Sequence, residues 1–180
     1  KLSNNTLLIR EELKNIGTEL LTWIDNLTPS DIKKNFSMPL QYMVNGSESN
    51  LLRIIHYPPL KENDDKGALR AAAHEDINLI TILLSGSKPG LQVQDTDNNW
   101  IDVISDYGSL VINIGDMLQE CSNGYYPSTT HRVINPIDDI SNQSRYSMPF
   151  FLHPRDEVEL SDKYTAYSYL EERLKQLGLK

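Results

Sequence analysis

Cys121 is the only cysteine in the 180-residue chain, so no disulfide can form within it. Chains that do without such bridges suit a reducing compartment, and a cytoplasmic location is the expectation. Long apolar runs are also missing. No stretch approaches the roughly 20 residues of a transmembrane helix, so no membrane span is expected. Lys and Arg number 17 against 25 Asp and Glu, a net charge of −8 with no basic cluster. That balance argues against nucleic acid or an anionic membrane as a partner. The opening "KLSNN" carries neither an initiator Met nor a signal-peptide pattern, as expected of a segment of something longer. Asn-x-Ser/Thr triplets at Asn4, Asn26, Asn35, Asn45 and Asn142 are then chance matches.

Several familiar catalytic signatures are absent too. There is no Gly-x-Gly-x-x-Gly or Walker-type loop, and "SGSKPG" lacks the spacing of a phosphate cradle. There is no Gly-x-Ser-x-Gly elbow, which removes support for a serine hydrolase. What is present is a globular composition, 39% hydrophobic and 23% charged, long enough for one domain with a real core.

From Thr6 to Leu27, the residues Ile9, Leu13, Ile16, Leu20, Ile24 and Leu27 recur three or four apart, which predicts an amphipathic helix ended by "TPS". A short helix at "SDIKKNF" would take Ser30 as its N-cap. After Asn50 the texture becomes that of strands. "LLRIIHY" stops at Pro58-Pro59, "LITILLS" reads as a buried strand, and "LQVQD-TDNN-WIDVI" reads as a hairpin. "LVINIG", "HRVIN" and "RYSMPFFL" continue the series. "TAYSYLEERLKQLG" returns to helical spacing, with Gly178 as C-cap. Helices, then many short strands, then a helix favour a mainly β fold with flanking α-helices, a sandwich or jelly roll. The expected division is 1–50 helical support, 51–160 the β core and 161–180 a C-terminal helix, in one structural domain.

"HEDINLIT" raises the chemical question. If His74 lies in an extended segment, Asp76 projects from the same side, because strand side chains alternate. His131 opens another strand. Two histidines and a carboxylate can occupy one face of an octahedral ion and leave the other open, which suits non-haem Fe(II). A closed structural zinc site would want four ligands, and Cys121 stands alone. Arg145 and Ser147, at i and i+2 in "RYS", share a strand face; a planar guanidinium there would grip a carboxylate through two parallel hydrogen bonds. Each residue also has a plain reading, as a polar strand edge or a structural ion pair. Thr81 reads best as a satisfied core threonine, His56 as pointing away from the site, and His153 as a packing residue. Asn113, Gly115 and Gly124 read as turn and packing positions, and Phe150 and Phe151 cannot be told apart.

The blocks "VINIGDMLQECSNGYYPSTTHRVINP" and "RYSMPFFLHP", preceded by "LLRIIHYPP" and "HEDINLITILLS", resemble the isopenicillin N synthase-like family of Fe(II)- and 2-oxoglutarate-dependent oxygenases. The resemblance runs from about Leu51 to Pro154. It implies a double-stranded β-helix in which His74, Asp76 and His131 bind Fe(II) and Arg145 and Ser147 bind the distal carboxylate of 2-oxoglutarate. It also places Tyr57 near that co-substrate, although many relatives carry an Asn two positions earlier, where Ile55 stands here. The implied activity is a dioxygenase consuming O2 and oxidising a small-molecule substrate, with succinate and CO2 as co-products. Two alternatives stay open: an oxidase like isopenicillin N synthase itself, which does not use 2-oxoglutarate, and an incomplete fragment acting as a binding module.

Overall fold

The computed structural model describes residues 3–61, 68–84, 88–104, 106, 108–135 and 142–179. It opens with a 24-residue helix, α1 (Asn4–Leu27), whose first turn is capped by the Ser3 hydroxyl accepting from the Thr6 amide. At the far end Thr28 takes an extended conformation, as the residue before Pro29 must. Two four-residue helices follow, α2 (Ser30–Lys33) and α3 (Leu40–Met43). Ser30 is not the cap of α2. Pro29 occupies that position without a side-chain bond, and its carbonyl accepts from Ile32 and Lys33.

Among the described residues, nine short strands then form two antiparallel sheets. The larger contains β1 (Leu51–Leu52), β2 (Ile55–Tyr57), β4 (Ile80–Leu84), β7 (Leu110–Ile114) and β9 (Arg145–Leu152), with β1 and β2 both on the same side of β9 and the path running β9-β4-β7. The smaller runs β3 (Ala71–His74), β8 (His131–Val133), β5 (Leu91–Gln94), β6 (Trp100–Asp102). Consecutive strands thus alternate between the two sheets over most of the chain, the winding of a jelly roll. The hairpin lies where it was expected, its turn held by Asp95 Oδ1 accepting from the amides of Asp97 and Asn99.

One expected strand is interrupted. "LLRIIHY" divides at Arg53-Ile54 because its partner across the ladder is Pro149, whose carbonyl accepts from Arg53 at 2.9 Å but which has no amide to return. Three further elements lie outside the sequence expectations: α3, β3, and the six-residue helix α4 (Asp116–Cys121). The last helix, α5 (Ala166–Gln176), closes with Gly178 at φ 70°. Its amide and that of Leu179 bond back to Lys175 and Leu174, a Schellman ending.

Strand alternation sorts the large sheet into two faces. Ile80, Ile82, Phe150 and Leu152 are completely buried on the outer face, beneath α1. Burying each such side chain contributes about 1.5–3 kcal/mol. The helix does not use quite the predicted stripe. Its buried line runs through Leu13, Gly17, Leu21 and Asp25, while Ile9 and Leu27 stay exposed. Gly17 explains the offset, since a Cβ there would sit 2.8 Å from Leu152 and 2.9 Å from Ile82. With glycine there, the helix comes this close to the sheet without displacing either side chain. The inner face carries Thr81, Leu83, Val111, Asn113, Arg145, Ser147 and Phe151, and looks toward the smaller sheet.

Candidate metal centre

His74 ends β3 and His131 begins β8, and the two are direct partners across the ladder, with ring centroids 4.3 Å apart. Each ring is oriented in the same way. Nδ1 lies 2.7 Å from the Ala72 carbonyl in His74 and 2.9 Å from the Thr129 carbonyl in His131. A carbonyl only accepts, so both rings carry their proton on Nδ1 and turn a free Nε2 lone pair inward. A backbone partner of this kind is what fixes the tautomer of a metal-binding histidine.

Asp76 completes the group. Its Oδ1 is 3.8 Å from Nε2 of His74 and 3.8 Å from Nε2 of His131, and one ligand atom from each residue falls within 4.8 Å of the others. Strand alternation is not what puts Asp76 there, because β3 has already ended. The loop is held by α4 instead. The amides of Gly115, Asp116 and Met117 donate to the carbonyls of Leu79, Asp76 and Asn78. The helix start thereby satisfies its orphan donors with the very loop that carries the carboxylate. Gly115 is required for this contact, since a Cβ would lie 2.2 Å from the Asn78 carbonyl oxygen.

The carboxylate's second oxygen is occupied. Thr81 Oγ1 donates to Asp76 Oδ2 at 2.6 Å, and Asn78 Nδ2 donates to Thr81 Oγ1 at 2.8 Å. Thr81 is a satisfied core threonine as expected, but what satisfies it is the candidate ligand. Asn113 belongs to β7, buried and directly across from Thr81, rather than to a turn. Nearby, Asp116 is 1% exposed and paired to Arg173 of α5, with Nε to Oδ2 3.1 Å. Burial pushes its carboxyl up to about 7 against the pull of Arg173, and the charges of Glu75 and Asp76 push the same way.

Arg145 and Ser147 face inward together from the start of β9, 2% and 7% exposed. Arg145 Nε donates to the Lys88 carbonyl at 3.0 Å, whereas its Nη1 is buried with no hydrogen-bond partner among the described residues. Burial lowers its pKa, because desolvation disfavours the charged guanidinium. Tyr57 pairs with Arg145 across the ladder and offers its ring face to that guanidinium at 5.5 Å, with Arg70 at 5.9 Å. Ile55, where relatives carry an Asn, is the ladder partner of Ser147. His56 turns to the other face, stacked on Tyr146 at 4.6 Å. Phe150 and Phe151 separate cleanly: Phe150 is in the outer core, while Phe151 lies opposite Thr81 on the inner face. His153 is packed where burial lowers its pKa, with Nδ1 3.3 Å from the Phe151 carbonyl.

The model of the 2OG-Fe(II) oxygenase superfamily matches residues 48–154, and the chain belongs to that family. A Shewanella oneidensis protein provisionally assigned as an oxygenase superimposes with a TM-score of 0.91 at 54% identity, over 99% of this chain and 66% of its own. A Neurospora crassa protein solved in complex with alpha-KG and thymine gives 0.74 at 26% identity, over 94% of this chain and 55% of its own. Gibberellin 2-beta-dioxygenase 3 of Arabidopsis thaliana is 32% identical over 160 residues, 89% of this chain and 44% of that protein. The chain spans 29% to 44% of the length of the first curated relatives it matches. The fold is the jelly roll expected from the sequence. Among the described residues no helix is long and apolar enough to cross a membrane.

Proposed function

We propose that this chain carries the reactive core of an Fe(II)- and 2-oxoglutarate-dependent dioxygenase that oxidises, most simply by hydroxylation, a small organic molecule, releasing succinate and CO2. In this reading residues 51–160 form the core, 1–50 and 161–180 support it, and the protein works in the cytoplasm without nucleic acid or membrane. The observation that carries it is the shared focus of three donor atoms, with Nε2 of both histidines equidistant from Asp76 Oδ1. Two nitrogens and one carboxylate oxygen on one side of an ion are a donor set that fits ferrous iron. When bound, iron supplies the activation of dioxygen, coupled to decarboxylation of the keto acid.

The rest of the work falls to the protein. His74 and His131 hold their lone pairs in place through the carbonyls of Ala72 and Thr129. Arg145 offers its buried Nη1, and Ser147 its hydroxyl, to the far carboxylate of 2-oxoglutarate. Tyr57 covers the guanidinium and limits its freedom, which lowers the ordering cost when the anion arrives. His74, whose side chain is 46% exposed against 9% for His131, marks the side open to reactants.

Anaerobic titration of the metal-free protein with Fe(II) and then 2-oxoglutarate tests this reading. Chelation of ferrous iron by a keto acid produces a weak visible charge-transfer band. Its appearance in the native chain and loss in His131→Ala is the expected result. Iron binding without the band would move the 2-oxoglutarate-independent oxidase ahead, and no iron binding would end the metal-centre reading.

A further inference from the structure

The two oxygens of Asp76 have different surroundings. Oδ1 faces the histidine nitrogens, and Oδ2 accepts the Thr81 hydroxyl at 2.6 Å. A hydroxyl has a single proton to give. Asn78 Nδ2 donates into the Thr81 oxygen at 2.8 Å, so that proton is committed to the carboxylate. Asn78, Thr81 and Asp76 are 0%, 2% and 6% exposed, and bulk solvent has little access to replace any link. Thr81 itself is buried at the centre of the large sheet, paired between Asn113 of β7 and Phe151 of β9. Other threonines of the chain satisfy themselves more simply. Thr18, Thr22 and Thr28 each donate to the carbonyl four residues back.

We infer that the Asn78–Thr81 pair holds Asp76 as a one-oxygen metal ligand, with Thr81 the positioning residue. This rests on the metal-centre reading above. Three protein atoms leave three positions on an octahedral ion, two for a chelating keto acid and one for a second reactant. A carboxylate free to swing and offer both oxygens would take the last of these. Tying Oδ2 to a hydroxyl whose own proton is fixed prevents that rotation.

Thr81→Val removes the hydroxyl and nearly keeps the shape, and Thr81→Ser keeps the hydroxyl. Co(II) serves as a spectroscopic probe, because its visible absorption reports coordination number. Outer partners of metal ligands typically contribute about 10- to 100-fold in affinity. Thr81→Val is expected to bind Co(II) and Fe(II) at least 10-fold more weakly, on the order of that range, with an altered Co(II) spectrum. Thr81→Ser is expected to match the native protein in both. Thr81→Ala provides a second hydroxyl-free variant if the valine does not fold by circular dichroism. Native affinity and spectrum in the hydroxyl-free variants would overturn the inference, as would a serine variant impaired as badly as the valine. If the native chain binds no Co(II) or Fe(II), the metal-centre reading fails and this inference falls with it. Native binding alongside indifferent variants refutes the inference alone.

Discussion

Arg173 Nε lies 3.1 Å from Asp116 Oδ2, which ties the last helix to the turn supporting the candidate metal loop. The pair is unequal in surroundings: the Arg173 side chain is 37% exposed and that of Asp116 only 2%. Burial of the carboxylate outweighs its partner and lifts its pKa from 3.8 to about 7. A carboxyl raised in this way binds its proton more tightly folded than unfolded. Its contribution to stability is complete below about pH 4 and is lost as pH rises through about 7.

Metal-free protein should therefore lose stability relative to Asp116→Asn as pH is raised from 4.5 to 7.5. Over that window the difference should move in the variant's favour by about 3 kcal/mol, at 1.36 kcal/mol per pKa unit. The Arg173 ion pair forms only as Asp116 ionises, so its pull is already contained in the raised pKa and adds no further pH dependence. Urea midpoints for both proteins across this range, in the presence of a chelator, measure it. A pH-independent difference would show that Asp116 titrates normally.

Arg145→Ala should separate the two binding events. The guanidinium touches the Lys88 carbonyl and the Tyr57 ring but none of the three candidate ligands, so Fe(II) affinity should stay within about threefold. Removing one partner of a buried, hydrogen-bonded charge pair costs about 2–5 kcal/mol, so 2-oxoglutarate should bind at least 30-fold more weakly. Calorimetry with each ligand in turn measures both. Equal losses would mean that Arg145 holds the fold rather than the co-substrate.

How far the sequence could be read follows from what kind of signal each feature leaves. The grouping of His74, Asp76 and His131 was legible because a candidate donor set restricts residue type and the spacing is local or block-bound. The role of Thr81 was not, because a threonine bonded to a candidate ligand looks the same in sequence as any threonine in a buried strand. β3 is "AAAH", without the β-branched residues that announce a strand; it is extended because β8 pairs with it. α4 has six residues, too few for a helical period to repeat. The stripe on α1 was displaced by Gly17, since hydrophobicity marks a face whereas close approach to the sheet depends on absent volume. The break in "LLRIIHY" came from Pro149, a residue nearly a hundred positions away, and no local pattern registers it.

Gly115→Ala should damage the contact between the start of α4 and the loop that carries Asp76. Its φ of −96° is open to any residue, so backbone strain is not the reason. A Cβ would lie 2.2 Å from both the carbonyl oxygen and Oδ1 of Asn78, and the loop would have to move away from α4. Overpacking of this kind costs about 1–3 kcal/mol and occasionally more; a loss of about 3 kcal/mol is expected, because backbone must shift. Fe(II) affinity should fall with it, since the displaced loop carries Asp76. Thermal unfolding and metal titration on one preparation test the coupling; a destabilised variant with native affinity would break it.

Cys121 offers a way to watch the same region without altering the site. It ends α4, is 1% exposed, and burial pushes its thiol from 9.0 up to about 12. The thiolate is the reactive form, so the folded chain holds far less of it than the unfolded chain, before burial blocks access as well. Alkylation by iodoacetamide at pH 8 should therefore proceed only through opening of α4. Opening α4 releases the Gly115, Asp116 and Met117 amides from the loop that bears Asp76. Anything that stabilises the closed loop should slow the labelling in proportion to its occupancy. Saturating Mn(II), which does not consume the reagent, is expected to slow it at least tenfold, as mass spectrometry of timed samples would show. A rate indifferent to metal would mean that α4 opens independently of the loop its amides hold.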